Sequence, residues 1–282
     1  MISCCLNASG FVKEYMRRFI CVLVVAAFLC GCGNKDENSQ DQSESPDTKT
    51  FTHIYENQEP FKGWERYRHQ NIVFIHPPNH LHQEKFEDFA KIFSALARQT
   101  CVFFKIEPVD SIVIYFYTGV GHGMSVTQKD TPFSDGHVIH FWFPSFFGPP
   151  IVKHLLPRWS DVQPKHKFLK DGIIALLDGS SRNYHEYTLK FIDSGTFISL
   201  RRLSVDTLVN VDEERYQSAE AASFVDYVVY AYGINQLKDL YSSHGSFSAE
   251  AERVFMIPLP KLEERWILFV KTFAGTRTAV EK

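Results

Sequence analysis

The pattern of apolar residues changes halfway along the chain, and this change constrains the fold more than any other feature. Short runs rich in β-branched and aromatic residues predict strands over residues 71–76, 111–117 and 137–143. Between the first two runs, Phe86, Phe89 and Phe93 share one face of a 3.6-residue period, which predicts a helix over 83–99. Only helix-type patterns follow, at residues 149–156, 165–177, 218–232, 235–242, 249–255 and 262–273. This order predicts an α+β fold, in which a small N-terminal α/β subdomain with a mixed sheet precedes a helical subdomain.

Two patterns in the first half resemble functional motifs, one a phosphate-binding or nucleophile loop and the other a metal site, but neither has the residues or spacing that such a site needs. Gly119, Gly121 and Gly123 predict a flexible loop, since a phosphate-binding loop needs Gly-Lys-Ser/Thr and a serine nucleophile needs G-x-S-x-G. His137 and His140 lie three residues apart in a predicted strand, so they face opposite sides of the sheet. They would therefore not bind one metal ion. Serine and histidine are both plentiful, so the sequence alone selects no Ser-His-Asp set.

The N-terminal segment has the features of an export signal. Arg17 and Arg18 precede an apolar run over residues 19–29. This run is shorter than the 20 or so apolar residues, about 30 Å of helix, that a membrane-spanning helix needs. It matches the apolar region of a secretory signal, so we predict a signal peptide over residues 1–31. Translation from Met1 or from Met16 would fit this interpretation, and a plain signal peptide without a lipid site or a short membrane helix is the alternative.

The sequence Leu29-Cys30-Gly31-Cys32 follows the apolar run directly and resembles the lipobox of bacterial lipoproteins. In that motif the residue after the cleaved bond is an acylated cysteine, which assigns Cys32 as the lipid attachment site. The resemblance implies a membrane anchor of fatty acyl chains such as palmitate, each buried CH₂ contributing about 0.8 kcal/mol. It places the protein in the cell envelope, facing outside the cytoplasm. Gly33 favours the outer membrane if the cell is Gram-negative.

The segment between the lipid site and the domain is polar and acidic. Residues 33–50 contain five acidic residues, two lysines and no large apolar residue. We therefore predict a flexible tether over residues 32–50, followed by one domain over 51–282. Cys101 is the single cysteine of that domain, and its apolar neighbours predict a buried thiol without a disulfide.

Composition limits the partners. The chain carries 30 Lys and Arg against 33 Asp and Glu, a formal net charge of −3. No basic excess favours nucleic-acid binding, so we expect none. Hydrophobic residues make up 44% of the chain, which is enough for a large core.

Three phrases of the domain resemble the peptidase MA-like group of gluzincin metallopeptidases. Residues 167–175, KFLKDGIIA, are similar to the helix W-L-x-E-G-x-A of that group. Residues 221–237 are similar to its helix pair with A-x-S-F-V-x-Y-L and Y-G-x-x-x-L, and residues 259–266, LPKLEERW, to its closing helix. Their order and spacing carry the resemblance, which spans about residues 71–273. It implies a gluzincin-like arrangement of the α+β fold.

The resemblance also implies a zinc site, of which this chain holds only a part. In the group, an H-E-x-x-H helix supplies two zinc ligands and a glutamate base, and a second helix supplies a glutamate as third ligand. His154 matches the second histidine, but Pro150 and Ile151 stand at the first histidine and at the base. Asp171 stands at the third ligand, with a side chain one methylene shorter. We therefore assign no catalytic residue and expect no metal.

These residues leave the enzymatic status open between hypotheses of different classes. The first is a catalytically degenerate domain, a pseudoenzyme that binds a protein or peptide segment in the former cleft. The alternative is an active, zinc-dependent peptidase with an unusual ligand set around His154 and Asp171. In that case His166, and with it His140 or His185, would complete the set. A third hypothesis is a structural envelope lipoprotein whose cleft has no ligand.

Overall fold

The computed structural model describes residues 60–205 and 211–277, with the backbone alone at 211–215 and 275–277. The predicted signal peptide, the lipid site at Cys32 and the tether lie outside these residues. Within the described ranges, no helix has both the length and the apolar character needed to cross a membrane.

A five-stranded mixed sheet forms the first half of the domain. Its strands are β1 (Glu65–His69), β2 (Ile72–His76), β3 (Ile112–Phe116), β4 (Phe133–Ser134) and β5 (Ile139–Phe141). Their spatial order is β1-β2-β3-β5-β4. The three central strands are parallel, and each edge strand is antiparallel to its neighbour. The carboxyl ends of β2, β3 and β5 therefore meet at one edge of the sheet, where ligands of open α/β sheets commonly bind.

Helices follow β2 and β3 along the chain, and they make up all the regular structure after β5 in the described residues. They are α1 (Phe86–Phe104, after a 3₁₀ turn at Gln83–Lys85), α2 (Val120–Thr127), α3 (Gly148–Trp159), α4 (Lys167–Leu176), α5 (Tyr184–Ser194), α6 (Leu200–Leu203), α7 (Val211–Ala231), α8 (Ile234–Tyr241), α9 (Phe247–Phe255) and α10 (Leu259–Arg277). Helix α3 packs against α1, β5 and α4, so it joins the sheet to the helical half.

Different elements cover the two faces of the sheet. Phenylalanines of α1 pack on one face, where Phe74 and Phe116 lie between the helix and the strands. On the other face, Phe61 and helix α2 cover Tyr115 and Trp142. Because both faces are covered, all five residues of β2 and of β3 are buried. This explains why these strands read as continuous apolar runs in the sequence.

The helical half is built around the crossing of α4 and α7. Gly172 of α4 lies against the backbone of α7, and an added Cβ would lie 2.5 Å from the carbonyl oxygen of Ala221. Only glycine permits this approach of two helix backbones. Around the crossing, Phe168, Phe224 and Trp266 are fully buried and form the centre of the helical core.

The α+β prediction is confirmed, with a mixed sheet first and helices after it. The predicted glycine loop over residues 119–123 is wrong, because helix α2 begins at Val120. Gly123 is needed there, since an added Cβ would lie 2.5 Å from the ring of Trp142. The predicted strand over 137–143 is shorter, and His137 lies in the turn before β5. Strands β1 and β4 and helices α5 and α6 were not predicted, whereas Cys101 is buried and free as expected.

Candidate functional site

His154 lies on α3, one turn after the two positions that the resemblance gives to a zinc ligand and to a base. Pro150 and Ile151 are both buried at the start of this helix, and Ile151 is fully enclosed in the core. The His154 imidazole is partly buried, and its Nδ1 lies 3.1 Å from the Oγ of Ser134. Burial lowers the pKa of His154 to about 4 against the opposing effect of Asp135. The imidazole is therefore neutral at physiological pH.

The turn between β4 and β5 fixes the proton of this imidazole. The Oγ of Ser134 donates to the carbonyl oxygen of Val138 at 3.1 Å and accepts the N–H of Gly136 at 3.1 Å. Because its single proton is used in this way, the contact with His154 is a donation from Nδ1–H to the hydroxyl oxygen. His154 is thus held by a hydrogen bond to the turn next to α3.

Asp171 lies on α4 in a cationic setting. Its side chain is one-third exposed, and its Oδ2 lies 3.9 Å from the Nζ of Lys167, one turn earlier. Burial and the charge of Lys170 lower the pKa of Lys153 on α3, and Asp171 opposes this shift. The carboxylate therefore lies among lysine side chains, where it forms an ion pair of the kind that contributes about 0–1 kcal/mol.

His166 is buried at the start of α4 and makes contacts with backbone. Its Nδ1 lies 3.3 Å from the carbonyl oxygen of Ser204, and its Nε2 lies 3.3 Å from that of Gly245. Its ring meets Phe247 edge to face at 5.3 Å. These contacts fasten two loops to the helical core, which is a structural role.

The predicted ligands thus contact different parts of the fold. His154 contacts the turn before β5, Asp171 lies among lysines, and His166 contacts two loops. Within residues 60–205 and 211–277, no group of three or more His, Cys, Asp or Glu side chains is placed to hold a metal ion. The donor set at the aligned positions does not fit zinc, since proline and isoleucine offer no ligand atom.

A hydrogen-bonded tyrosine–histidine pair with a carboxylate near it, which the sequence did not reveal, lies beside His154. The Tyr117 hydroxyl is 2.7 Å from the Nδ1 of His140, and the Nε2 of His140 is 3.7 Å from the Oδ2 of Asp135. The other Asp135 oxygen accepts the N–H groups of His137 and Val138, both at 2.9 Å. Burial alone would raise the pKa of Asp135, but His140 and these N–H donors hold it well below its usual range.

Solvent reaches the group of Tyr117, His140 and Asp135 from the side of Asp135 alone. The His140 ring is stacked between Phe133 at 4.6 Å and Tyr115 at 5.5 Å, and the Tyr117 side chain is fully buried. Only Asp135 reaches solvent, with 27% of its side chain exposed. The separation of 3.7 Å between the imidazole and the carboxylate is too long for a hydrogen bond, and the phenol has no access to a substrate. The arrangement therefore stabilises the turn that holds His154.

A Ser-His-Asp set is present in the helical half. The Nδ1 of His185 on α5 is 2.9 Å from the Oγ of Ser223, and its Nε2 is 2.8 Å from the Oδ2 of Asp226. Ser223 also accepts the indole N–H of Trp266 at 3.1 Å, so its own proton points to His185. Ser223 is completely buried, whereas a nucleophile must reach its substrate. This network joins α5, α7 and α10, and the burial of the Ser223 hydroxyl closes it to a substrate.

A buried carboxyl group lies in the same half, near a cavity. Glu220 of α7 is fully buried; its Oε1 accepts the N–H of Ile198 at 3.0 Å, and its Oε2 has no hydrogen-bond partner. Burial raises the pKa of Glu220 to about 8; the N–H of Ile198 opposes this shift and Glu263 adds to it. Glu263 in turn accepts the N–H of Leu200.

Glu263 also lines a cavity of about 500 Å³. The other lining residues are Ser199, Arg201, Ser248, Leu259 and Pro260.

Further histidines lie at the carboxyl ends of the parallel strands. His80 is buried between the rings of Phe86 at 5.3 Å and Phe116 at 5.0 Å, and its Nδ1 accepts the N–H of His82 at 3.0 Å. The proton of the neutral ring therefore lies on Nε2. Burial lowers the pKa of His80 to about 4, and neighbouring histidines, including His122, lower it as well. This ring is a neutral part of the core.

No family model matches the chain, and no curated protein or solved structure matches it significantly. The resemblance to gluzincins therefore remains a prediction from the sequence, and the function must be argued from the contacts described above.

Proposed function

We propose that this protein is an exported lipoprotein, held at the cell envelope by acyl groups on Cys32, with a catalytically degenerate gluzincin-like domain. The domain binds an extended peptide or protein segment and does not cleave it. The proposal combines the lipobox, the three family phrases and the contacts of helix α3 in the described residues.

The position of Ile151 is the observation that carries the proposal. In a peptidase of this group, the residue here accepts a proton from zinc-bound water and must face the cleft. Ile151 is instead fully buried, and Pro150 before it is buried as well. A hydrocarbon side chain takes no proton, and its burial closes this side of the helix to water. His154 is occupied by its hydrogen bond to Ser134.

An exposed aromatic ring beside α3 supports a binding role. Phe146 precedes this helix by two residues and is 39% exposed, whereas Phe147 next to it is buried. The guanidinium carbon of Arg182 lies 5.3 Å from the centre of the Phe146 ring. Aromatic and arginine side chains are enriched at protein interfaces, and a cation over a ring holds that ring in place. Phe146 and Arg182 therefore offer a contact point for a segment that passes α3.

Metal content and turnover test the proposal against the alternative. The purified full-length lipoprotein should contain zinc well below one ion per chain. It should leave a reduced, carboxymethylated protein uncleaved while binding it. One tightly held zinc per chain, lost in His154→Ala together with hydrolysis, would establish the peptidase and overturn the proposal.

The binding surface has a matched control within the chain. Tyr187 is 42% exposed and lies under the Nζ of Lys190 at 5.5 Å, so it resembles Phe146 in exposure and in its cation. Phe146→Ala should weaken binding of the carboxymethylated protein, whereas Tyr187→Ala should not. Equal effects of the two variants would remove Phe146 from the binding surface.

The anchor is tested separately by Cys32→Ser. This variant should accumulate as an uncleaved, unlipidated precursor, because cleavage at a lipobox follows acylation of the cysteine. Normal processing of the variant, with normal retention by membranes, would refute the lipoprotein assignment.

A further inference from the structure

Three large apolar side chains are exposed in the segments that follow β2 and β3, at the edge where the parallel strands end. Leu81, in the loop after β2, is 70% exposed. Val120 and Met124 of α2, the helix after β3, are 37% and 45% exposed. These two residues are four apart and lie on the same side of the helix. We call Leu81, Val120 and Met124 the strand-end face.

The loop after β2 and helix α2 belong to the same edge because β2 and β3 are parallel neighbours. Contacts join the two segments as well. His80, next to Leu81, packs on the ring of Phe116 at the end of β3. The ring of His122, within α2, packs edge to face on that of Tyr117, the residue after β3, at 5.5 Å. The apolar side chains thus project from two segments that both pack on the end of β3.

The chain also enters the described domain at this edge. β1 is antiparallel to β2, and its first residue, Glu65, pairs with His76, the last residue of β2. The residues before β1 are fixed there by aromatic contacts. Phe61 lies 4.5 Å from the ring of Tyr115, and Trp64 lies 5.7 Å from that of His122. The chain that leads from Cys32 therefore enters the described residues beside the strand-end face.

The length of the tether keeps this edge near the membrane. From Cys32 to Pro60 the chain advances 28 residues. The tether predicted from composition over residues 32–50 would, as a flexible coil, have a root-mean-square span of about 25 Å, somewhat less than the diameter of a small domain. An acyl anchor on Cys32 would then act on the domain at the edge where the chain enters it.

We propose that the strand-end face docks on the lipid surface, with Leu81, Val120 and Met124 inserted among the headgroups. This inference depends on the lipid anchor of the proposed function. The charges next to these segments in sequence are of both signs, since Lys62 is followed by Glu65 and Lys85 pairs with Glu84 at 4.0 Å. The attraction is therefore apolar, and docking is insensitive to salt, unlike that of a polybasic surface.

Labelled cysteines test the docking at single positions. Leu81→Cys in the full-length lipoprotein carries an environment-sensitive fluorophore, while Cys101, which is 2% exposed, stays unlabelled. Leu268→Cys is the control, because Leu268 on α10 is 65% exposed but lies in the helical half. Both proteins are incorporated into vesicles of phosphatidylethanolamine and phosphatidylglycerol that contain a nitroxide-labelled lipid. A label at Met124→Cys provides a second position on the same face.

Labels at positions 81 and 124 should be quenched at least about threefold more than the label at 268, and 1 M salt should leave this ratio unchanged. Equal quenching at the three positions, in protein that floats with the vesicles, overturns the docking face and leaves the anchor intact. Equal quenching is also the result expected if a partner protein, and not lipid, covers this face. A lipoprotein that fails to float with vesicles refutes the anchor, and the docking face with it.

Discussion

Replacing Glu220 by glutamine tests how strongly a buried carboxyl group links the stability of the domain to pH. The pKa of Glu220 rises from 4.5 to about 8 on folding, so the folded protein keeps a proton that the unfolded chain releases. Stability is then full below pH 4.5 and falls as the pH rises toward 8. One pKa unit corresponds to about 1.4 kcal/mol, so the loss reaches about 3 kcal/mol at pH 7 and about 5 kcal/mol at pH 9. Glutamine keeps the acceptor for Ile198 but does not titrate, so Glu220→Gln should remove this loss.

Urea unfolding followed by circular dichroism at pH 5, 7 and 9 measures the effect. The difference between wild type and Glu220→Gln isolates this carboxyl group, because all other groups titrate in both proteins. Glu264→Gln is the matched control, since Glu264 lies on the surface of α10 with 65% of its side chain exposed. The advantage of Glu220→Gln over wild type should grow by several kcal/mol from pH 5 to pH 9, and that of the control should stay constant. Parallel curves for wild type and Glu220→Gln would show that the folded carboxyl group ionises normally.

Three further perturbations probe the remaining features. Acid should destabilise the protein between pH 6.5 and 4, because folding lowers the pKa values of His80 and His154 to about 4. Each histidine then lowers the free energy of unfolding by up to about 3 kcal/mol, since the unfolded chain takes up a proton that the folded protein does not. Urea midpoints that stay constant over this pH range would contradict this prediction. Gly172→Ala should cost about 1–3 kcal/mol, measured as a lower Tm, because its Cβ meets the backbone of α7; an unchanged Tm would show that the helices separate freely. Pro150→His with Ile151→Glu restores H-E-x-x-H in sequence but buries a carboxylate in the core. This double variant should lose more than about 3 kcal/mol by urea unfolding and bind no stoichiometric zinc, whereas tight zinc binding would show an open cleft.

The fold was predictable where the spacing of apolar residues along the sequence matches the face of the helix or strand that is buried. The phenylalanines of α1 and the continuous apolar runs of β2 and β3 gave these elements with small errors at their ends. Helix α2 was not predictable from its local sequence, because packing of Gly123 on Trp142 outweighs the low helix propensity of its two glycines. Helix α5 has a weak apolar face, but its start carried a usable signal. The side chain of Asn183 accepts the N–H of Glu186, as an N-cap residue does.

The sequence predicted which residues belong to the candidate site, but not their burial or their contacts. The resemblance predicted from the sequence gave Pro150 and Ile151 as the positions of a ligand and a base, but their burial follows from contacts of α3 with the rest of the fold. The turn before β5 carried a local signal in Asp135-Gly136, a turn dipeptide. Networks such as Ser223 with His185 join residues 38 positions apart on two helices. No local spacing contains this information, because the register of α5 on α7 is set by the whole helical core.

Two sets of buried groups act on stability in opposite directions, and together they place its maximum. Below pH 6.5 the two neutral imidazoles of His80 and His154 favour unfolding as the unfolded chain takes up protons. Above pH 4.5 the protonated Glu220 favours unfolding as the unfolded chain releases one. Between pH 4.5 and 6.5 His80 and His154 oppose Glu220, and burial lowers the pKa values of His82 and His122 as well, so stability rises by at least about 1.4 kcal/mol per pH unit. From pH 6.5 to 8 the large shift of Glu220 dominates among the described groups, and stability falls by about 1.4 kcal/mol per pH unit. Wild type should therefore be most stable near pH 6.5, whereas Glu220→Gln should reach a plateau there, since its histidines alone remain.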